Sequence, residues 1–206
     1  QQELLTRYDN TLVNILNEMK QNKSSLLIPY LIAEEKTYLI GGYAVFDEYK
    51  LKDYLDKDTS YGIDFIKDAL REFPIYLEDE VSLSLSFSKT NLESEINNRH
   101  VVVTIHLNFE TMIREVISDE NVFSREKIDK LTNEQNKYVT NIIKKAVDYS
   151  VNNGVDILQI ARLVEKQHIN DWADLEGDWD EVISDIEYKY VIQSKISKSF
   201  ILGKER

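Results

Sequence analysis

The sequence predicts an α+β fold of two small domains, each an antiparallel or mixed sheet with helices packed on one face. Two observations lead to this prediction. Segments that alternate apolar and polar residues, as strands do, are interspersed with segments whose apolar residues recur every three or four positions, as in amphipathic helices. The pattern also changes near Pro74, so we place the domain boundary there, with domains at 1–76 and 77–206.

The first domain is predicted to contain a helix, three strands and a second helix. The first helix, Leu4–Met19, carries a single apolar stripe. Three strands follow, at Leu26–Leu31, Thr37–Phe46 and Leu51–Leu55. Gly41 and Gly42 interrupt the second strand, which predicts a bulge or a close backbone approach. Ser60 is the predicted cap of the second helix, and Pro74 marks its limit.

Strands open and close the second domain. Val81–Ser88 alternates without interruption and predicts a half-buried strand with a serine-lined outer face. A second alternating run starts at Val101, and Asn97-Asn98 is the predicted hairpin turn before it. The pattern weakens into a charged connection over 115–130. The last strand is predicted from the alternation that runs from Ile186 to Ile196.

Two helices lie between these strands. Thr132 and Gln135 have the spacing of a capping box, so we expect the first helix to begin there and to end at Asn153-Gly154. Asp156 and Gln159 repeat that spacing and predict the start of the next helix. Asp156 is therefore interpreted first as a helix cap and only second as an interaction residue.

The composition indicates a globular, acidic chain. Of its 206 residues, 42% are hydrophobic, and 37 Asp and Glu outnumber 25 Lys and Arg, which gives a formal net charge of -12. That charge repels nucleic-acid phosphates and anionic lipids, so binding to nucleic acid is not expected. No apolar stretch approaches the roughly 20 residues that span a bilayer. The chain contains no Cys, which excludes disulfides and thiolate chemistry within it.

Motifs for catalysis or metal binding are not recognised. His100, His106 and His168 do not form a paired metal-binding motif, and the serine row from Ser82 to Ser88 has no adjacent base. The acidic stretch Asp174–Asp185 mimics the spacing of a calcium loop, but Trp179 stands where the loop requires Gly. We therefore interpret it as a solvated acidic segment and expect neither metal nor cofactor.

Trp172 and Trp179 allow two interpretations. Tryptophan is enriched at interaction hot spots, so both side chains are candidate partner anchors. Tryptophan is also highly buried on average, and sealing the helices against the sheet is the role that we favour.

The stretch Tyr38–Leu55, YLIGGYAVFDEYKLKDYL, resembles a hairpin of the middle domain of the Ger(x)C lipoproteins, the C subunits of GerA-type germinant receptors of spore-forming bacteria. That family shows a Gly followed by a small residue, a Val-Phe pair, a short polar turn and a Leu-led strand. In this chain these features fall on Gly42, Ala44, Val45-Phe46, 47–50 and Leu51.

A second resemblance lies in the other domain. Val155–Leu158 is similar to the start of a helix in the family's C-terminal domain, and Trp172 and Asp178–Glu181 follow at similar distances. The chain departs from the family at its end, where Ser197–Phe200 stands in place of a basic pair before Thr-Gly. The resemblance is carried by the order of these motifs along nearly the whole chain.

The resemblance implies a non-enzymatic C subunit, with 1–76 as its middle domain and 77–206 as its C-terminal domain. It implies a scaffold or interaction role beside the integral-membrane A and B subunits. It also implies a lipid anchor on a Cys upstream of this chain, at the outer face of the spore inner membrane. The signature positions, which are also candidate interface positions, are Gly42, Phe46, Asp156, Trp172 and Trp179.

Two other function classes stay open from the sequence. An extracytoplasmic small-molecule sensor domain would use aromatics such as Tyr30, Tyr43 and Tyr61 to line its site. A hydrolytic enzyme ranks last, because carboxylates are plentiful but no base and nucleophile pair is apparent.

Overall fold

Two sheets and five α-helices make up the described part of the computed structural model, which covers residues 25–47, 50–70, 72–77, 81–116 and 124–197. The first sheet, in the order β1-β2-β3, contains β1 (Leu26–Ala33), β2 (Tyr38–Asp47) and β3 (Lys50–Tyr54). The second sheet, in the order β4-β5-β6-β7, contains β4 (Pro74–Leu77), β5 (Val81–Asn97), β6 (His100–Val116) and β7 (Glu187–Ser197). The helices are α1 (Lys57–Ile66), α2 (Arg125–Asn153), α3 (Ile160–Gln167), α4 (Ile169–Leu175) and α5 (Trp179–Ser184), with a 3-10 turn at Glu176–Asp178. The predicted α+β class is confirmed, whereas the predicted helix Leu4–Met19 lies outside the described residues.

The first sheet is antiparallel and contains the predicted bulge. The pairing of β1 with β2 shifts between Tyr30 and Leu31, opposite the glycine pair. Gly42 has φ 146°, and a Cβ there would lie 2.1 Å from the carbonyl oxygen of Leu55. Only glycine fits this position without strain, because the left-handed φ and the close backbone approach both exclude a side chain.

Helix α1 begins earlier than predicted. Its N-cap is Asp56, whose carboxylate accepts a hydrogen bond from the Thr59 backbone N–H at 2.8 Å. Ser60, the predicted cap, lies inside the helix, where its hydroxyl donates to the Asp56 carbonyl and accepts from the Tyr43 backbone N–H. The prediction was wrong because Ser60 serves the packing of α1 on β2, a tertiary contact that capping preferences do not report.

Strands β5 and β6 pair with each other along their whole length and form one hairpin. Asn97 pairs with His100, so the two-residue turn is Asn98-Arg99, one residue later than predicted. Both turn residues have positive φ, 51° and 67°. This is the backbone of a two-residue hairpin turn whose twist matches that of the flanking strands.

A bulge partway along β5 exchanges the faces of the sheet to which its odd- and even-numbered side chains point. Its pairing with β6 shifts between Leu85 and Phe87. As a result Phe87 is exposed, whereas Ser88, predicted on the serine-lined outer face, is buried at 6% exposure. A single extra residue exchanges the two faces of a strand, which simple alternation cannot anticipate.

The long helix α2 begins before the predicted capping box. Its N-cap is Ser124, whose hydroxyl accepts from the Lys127 backbone N–H. Thr132 lies within the helix and donates to the Ile128 carbonyl, so it does not cap. The predicted stop is confirmed, since Gly154 takes the left-handed conformation at the C-terminal cap.

The last strand gives the second sheet its mixed character. β7 pairs in parallel with β6, whereas β4, β5 and β6 are antiparallel. A parallel pair requires a crossover connection, which runs through α2 to α5. The inward-facing residues of the sheet, such as Val103, Ile105 and Ile113, are buried, and they join the helices in one apolar core.

The division into domains at 76/77 stays a prediction. β4 spans this position and pairs with β5, so it belongs to the second sheet. The apolar core is continuous across both modules and includes Leu27 and Phe65 as well as Val103. Helix α1 also packs closely on α2, where a Cβ on Gly62 would lie 2.3 Å from the Ile142 carbonyl oxygen.

Candidate interaction surface

The distal part of the β1–β2 hairpin, residues 31–40, forms an apolar arm. Within the described residues, β3 pairs with β2 only over 44–47, so the arm strands pair with each other alone. Leu31 is 63% exposed, Ile32 48% and Tyr38 64%. Because successive residues of a strand point to opposite faces, the exposure of both Leu31 and Ile32 shows that the arm is open on both sides. Exposed apolar surface of this kind marks interaction sites in soluble proteins.

The apolar arm continues into the outer face of the first sheet, the face away from α1. Cross-strand partners share a face. By the observed register, the side chains of this outer face are those of Leu26, Ile28, Tyr30, Ala44, Phe46, Leu51 and Tyr54. Tyr30 meets Tyr54 edge to face with ring centroids 4.9 Å apart. Every position of the face is apolar or aromatic, and Leu51 and Tyr54 are exposed.

Asp156 lies at a buried polar junction between the modules. Its carboxylate accepts from the backbone N–H groups of Ile160 and Ala161, both at 2.8 Å, and so caps the first turn of α3. The predicted capping box is wrong, however, because the helix begins later, at Ile160, and its N-cap position is Gln159. Its backbone carbonyl accepts from the N–H of Ser25, just before β1. This residue therefore links the start of the first sheet to the start of α3.

Burial changes the proton affinity of this junction. Burial raises the pKa of Asp156 to about 6. The hydrogen bonds from the backbone N–H groups of Ala161 and Ile160 and the charge of Lys67 act in the opposite direction, because they favour the carboxylate. The indole N–H of Trp179 also favours the carboxylate, although it does not reach hydrogen-bond geometry with any described side chain. Burial, together with the nearby Asp156, raises the pKa of Tyr188.

A second buried carboxylate lies under the first sheet. Asp64 of α1 is 2% exposed and accepts from the Tyr43 hydroxyl at 2.7 Å. Burial raises its pKa to about 6, although the Tyr43 hydrogen bond and the charge of Lys67 act in the opposite direction. Sequence reasoning missed this pair, because a carboxylate on the apolar face of a short helix gives no signal of its partner.

The two tryptophans pack together in the interior. Trp172 is 8% exposed and Trp179 1%, and their rings meet edge to face at 5.0 Å. This burial agrees with the interior position that the sequence favoured, and the role of sealing the helices against the sheet stays a prediction. Their role as interface positions stays a prediction, as it does for Asp156 and Gly42, which are also buried. Phe46 differs from these four, since it is half-buried on the outer face of the first sheet.

The histidines lie apart and have local partners. His100 lies 3.5 Å from a carboxylate oxygen of Asp185, and His106 lies 3.5 Å from one of Glu93. His168 ends α3 and its Nε2 lies 2.7 Å from the Ser94 carbonyl oxygen. The segment Asp174–Asp185 is mostly helical and does not form a calcium loop. In the described ranges, no three His, Asp or Glu residues are placed to hold a metal ion.

The aromatics of the sensor alternative do not converge on one site. Tyr43 is fully buried in the core with its hydroxyl on Asp64. Tyr61 packs on Phe73 at 4.7 Å between ring centroids, and Tyr30 lies on the outer face beside Tyr54. These three side chains therefore do not line a common cavity.

Comparison with solved structures defines the class of fold. The chain superposes on the crystal structure of the GerBC protein with a TM-score of 0.79 at 21% sequence identity. The superposition covers 95% of this chain and 64% of that one. At this identity the match establishes a shared fold. In the described part of the chain, no helix combines the length and the apolarity needed to cross a membrane.

The family follows from the sequence match. The chain belongs to the family described as "Spore germination B3/ GerAC like, C-terminal", which matches residues 41–199. It is also 24% identical over 160 residues to spore germination protein B3 of Bacillus subtilis (strain 168). That match covers 75% of this chain and 43% of the relative, so the chain spans less than half of that relative's length. The resemblance stated from the motifs is thereby confirmed.

Proposed function

We propose that this chain is the middle and C-terminal part of the C subunit of a spore germinant receptor, and that it is a non-catalytic scaffold. It would act beside the integral-membrane A and B subunits at the outer face of the spore inner membrane. Family membership supports the receptor assignment. The observation that supports contact with a partner is the apolar arm, which exposes Leu31, Ile32 and Tyr38.

The charge of the chain fits this arrangement. A net charge of -12 repels anionic headgroups, so attachment would depend on a lipid carried by a Cys upstream of this chain. The tip of the arm is also acidic, with Glu34 and Glu35 beside Lys36. An acidic tip disfavours insertion into an anionic bilayer and favours a protein partner. We therefore propose that the arm contacts another receptor subunit.

Co-purification tests this proposal. The full-length protein carrying a tag is recovered from detergent-solubilised spore membranes, and the chains that accompany it are identified by mass spectrometry. The arm variant combines Leu31→Ser, Ile32→Ser and Tyr38→Ser. A control variant combines Ile169→Ser and Val191→Ser, two exposed apolar positions elsewhere on the surface. All of these side chains are exposed. Circular dichroism of both variants checks that they remain folded before their co-purification is compared.

The expected result is a multi-span membrane protein and a second membrane subunit with the wild type and the control, and their loss with the arm variant. Recovery of the wild-type protein alone, under detergent conditions that preserve other membrane complexes, would contradict the receptor assignment. Equal recovery of the same subunits with the arm variant would contradict only the role of the arm.

A further inference from the structure

The two edges of the second sheet differ. On one side β5 extends beyond β4, and the side chains of Gln167 and Asp68 bond to its backbone there. On the other side, in the described part of the chain, β7 pairs only with β6 along its 11 residues. The Gln135 side chain reaches β7 at the Ser194 hydroxyl and not at the backbone. The outer edge of β7 therefore presents the backbone N–H and C=O groups of every second residue for pairing with another strand.

The exposed face of β7 carries opposite charges at its two ends. Its side chains are those of Glu187, Lys189, Val191, Gln193 and Lys195, all exposed. Glu187 and Lys195 lie at equal distances along the strand from Val191, four residues to either side. An antiparallel copy of the same strand, centred on Val191, therefore places Glu187 of each copy opposite Lys195 of the other. Opposite charges at directly opposed positions stabilise a strand pair.

Other registers of the same pair lack this match. Directly opposed residues share a face, so only registers that oppose exposed residues to exposed residues preserve both faces of the sheet. Among those that pair more than half of β7, a centre at Ile192 places Lys189 opposite Lys195, and like charges destabilise the pair. Centres at Tyr190, Gln193 and Ser194 oppose no charge to an opposite charge. The charges of β7 therefore favour a centre at Val191.

The helix layer leaves room for a second copy at this edge. Gln135 of α2 bonds to Thr111 of β6 and to Ser194 of β7, so α2 lies over the boundary between these two strands. If β7 pairs with β7 of a second copy, the two α2 helices are separated by two strand spacings, or about 10 Å. This is the ordinary distance between the axes of packed helices, so the helices can pack side by side.

We propose that β7 pairs with β7 of a second copy of this chain, antiparallel and centred on Val191, so that the second sheets of the two copies form one continuous sheet. The pairs of Glu187 with Lys195 fix the register, and the two-fold symmetry of the contact limits the assembly to a dimer. This inference does not depend on the proposed receptor role. The contact also does not involve the apolar arm, which belongs to the first sheet.

Charge reversal in the full chain tests the register. Glu187→Lys and Lys195→Glu each place like charges opposite each other, whereas a variant that carries both substitutions restores the opposite charges. The matched control is Lys189→Glu, because this residue lies on the same face but opposite the uncharged Gln193. Sedimentation equilibrium measures the dimer at about 150 mM salt, which screens the long-range repulsion between two acidic copies.

The expected result is a dimer for the wild type, the control and the double variant, and a dissociation constant at least tenfold higher for each single variant. An equimolar mixture of the two single variants should regain the dimer, because opposite charges again face each other at both pairs. A wild type that remains monomeric at about 0.1 mM would overturn the proposal. So would single variants that dimerise as tightly as the wild type, or a mixture that stays monomeric although circular dichroism shows both variants folded.

Cross-linking provides an independent measurement, since the chain contains no Cys. In the proposed register Val191 lies opposite Val191 of the other copy, whereas the two Lys189 positions are offset by four residues along the strands. Val191→Cys should therefore be cross-linked between copies by a short bismaleimide at least severalfold faster than Lys189→Cys. Equal rates for the two variants would overturn the proposed register.

Discussion

At the residue scale, single side chains hold backbone conformations that the surrounding elements require. Three residues show this. Gly42 has no side chain and so leaves room for the Leu55 carbonyl oxygen. Asp156 accepts a hydrogen bond from the first backbone N–H of α3, and Asp64 accepts one from the Tyr43 hydroxyl. None of the three is exposed. Two of them are signature positions, so part of the family signature in this chain has a structural explanation.

Gly42→Ala is expected to lower the free energy of unfolding by at least about 2 kcal/mol, because the new Cβ meets the Leu55 carbonyl at a strained φ. Urea titration followed by circular dichroism measures the change. Gly177→Ala is the control, since a Cβ there meets no atom within 4 Å. A loss as small as that of the control would show that the bulge relaxes around the methyl group.

Buried carboxylates predict a pH dependence of stability. The pKa values of Asp64 and Asp156 rise to about 6 in the folded protein, from 3.8 in the absence of burial. The folded state therefore binds protons more tightly than the unfolded state between about pH 4 and pH 6. The contribution of these two carboxyl groups to stability should be fully present below about pH 4 and should be lost, by about 3 kcal/mol per group, as the pH rises to about 6.

Asp64→Asn tests this assignment because the amide oxygen can still accept from Tyr43 but does not titrate. The decrease in the free energy of unfolding between pH 4 and pH 7 should be smaller than in the wild type by about 3 kcal/mol. Asp129→Asn, on the exposed side of α2, is the control for the loss of one carboxylate. An identical profile for Asp64→Asn would exclude Asp64 as a source of the dependence.

At the scale of elements, buried polar side chains join α2 to the sheet. Gln135 is fully buried; its side-chain oxygen accepts from the Thr111 hydroxyl of β6, and its amide donates to the Ser194 hydroxyl of β7. These contacts fix α2 over both strands of the parallel pair. The capping box predicted for Gln135 is replaced by this bridge.

Gln135→Ala should cost about 2–3 kcal/mol of stability, because it leaves the Thr111 and Ser194 hydroxyls without this partner and opens a cavity. Lys137→Ala, two residues further along α2 and exposed, should change stability by less than about 0.5 kcal/mol. The midpoint of urea unfolding provides the comparison. Equal midpoints for the two variants would contradict a structural role for the bridge.

Side chains also close the free edge of β5 beyond β4. The Gln167 side chain accepts from the Ser94 backbone N–H at 2.8 Å and donates to the Leu92 carbonyl at 3.1 Å, as a neighbouring strand would. Asp68 accepts from the Thr90 backbone N–H in the same way. Such caps prevent unwanted strand pairing along an edge. Contact with a partner is thereby disfavoured at this edge of the second sheet.

At the scale of the whole molecule, the two modules share one core. The predicted boundary at 76/77 nevertheless stands beside the connection between β4 and β5, so limited proteolysis is expected to cut first within residues 77–81. The two fragments should co-elute on gel filtration after the cut, because α1 packs against α2 across the boundary. Separate elution of the fragments would show independent domains, and a first cut elsewhere would contradict the boundary.

The local pattern of the sequence determined much of this protein. Alternation predicted β5, β6 and β7, helical periodicity predicted α2, and Gly154 set its end. The order of loose motifs along the chain identified the family. These features were accessible because each depends on residues close together in sequence, where periodicity reports which side of an element is buried.

Only the tertiary structure decided how these elements pair. The parallel docking of β7 on β6, the burial of Ser88 behind a bulge and the partners of Gln135 all depend on residues far apart in the chain. The apolar arm was equally hidden, because the pattern of Leu31, Ile32 and Tyr38 is that of an ordinary strand. A strand pattern cannot tell whether a layer will cover it, since burial is a property of the assembled fold.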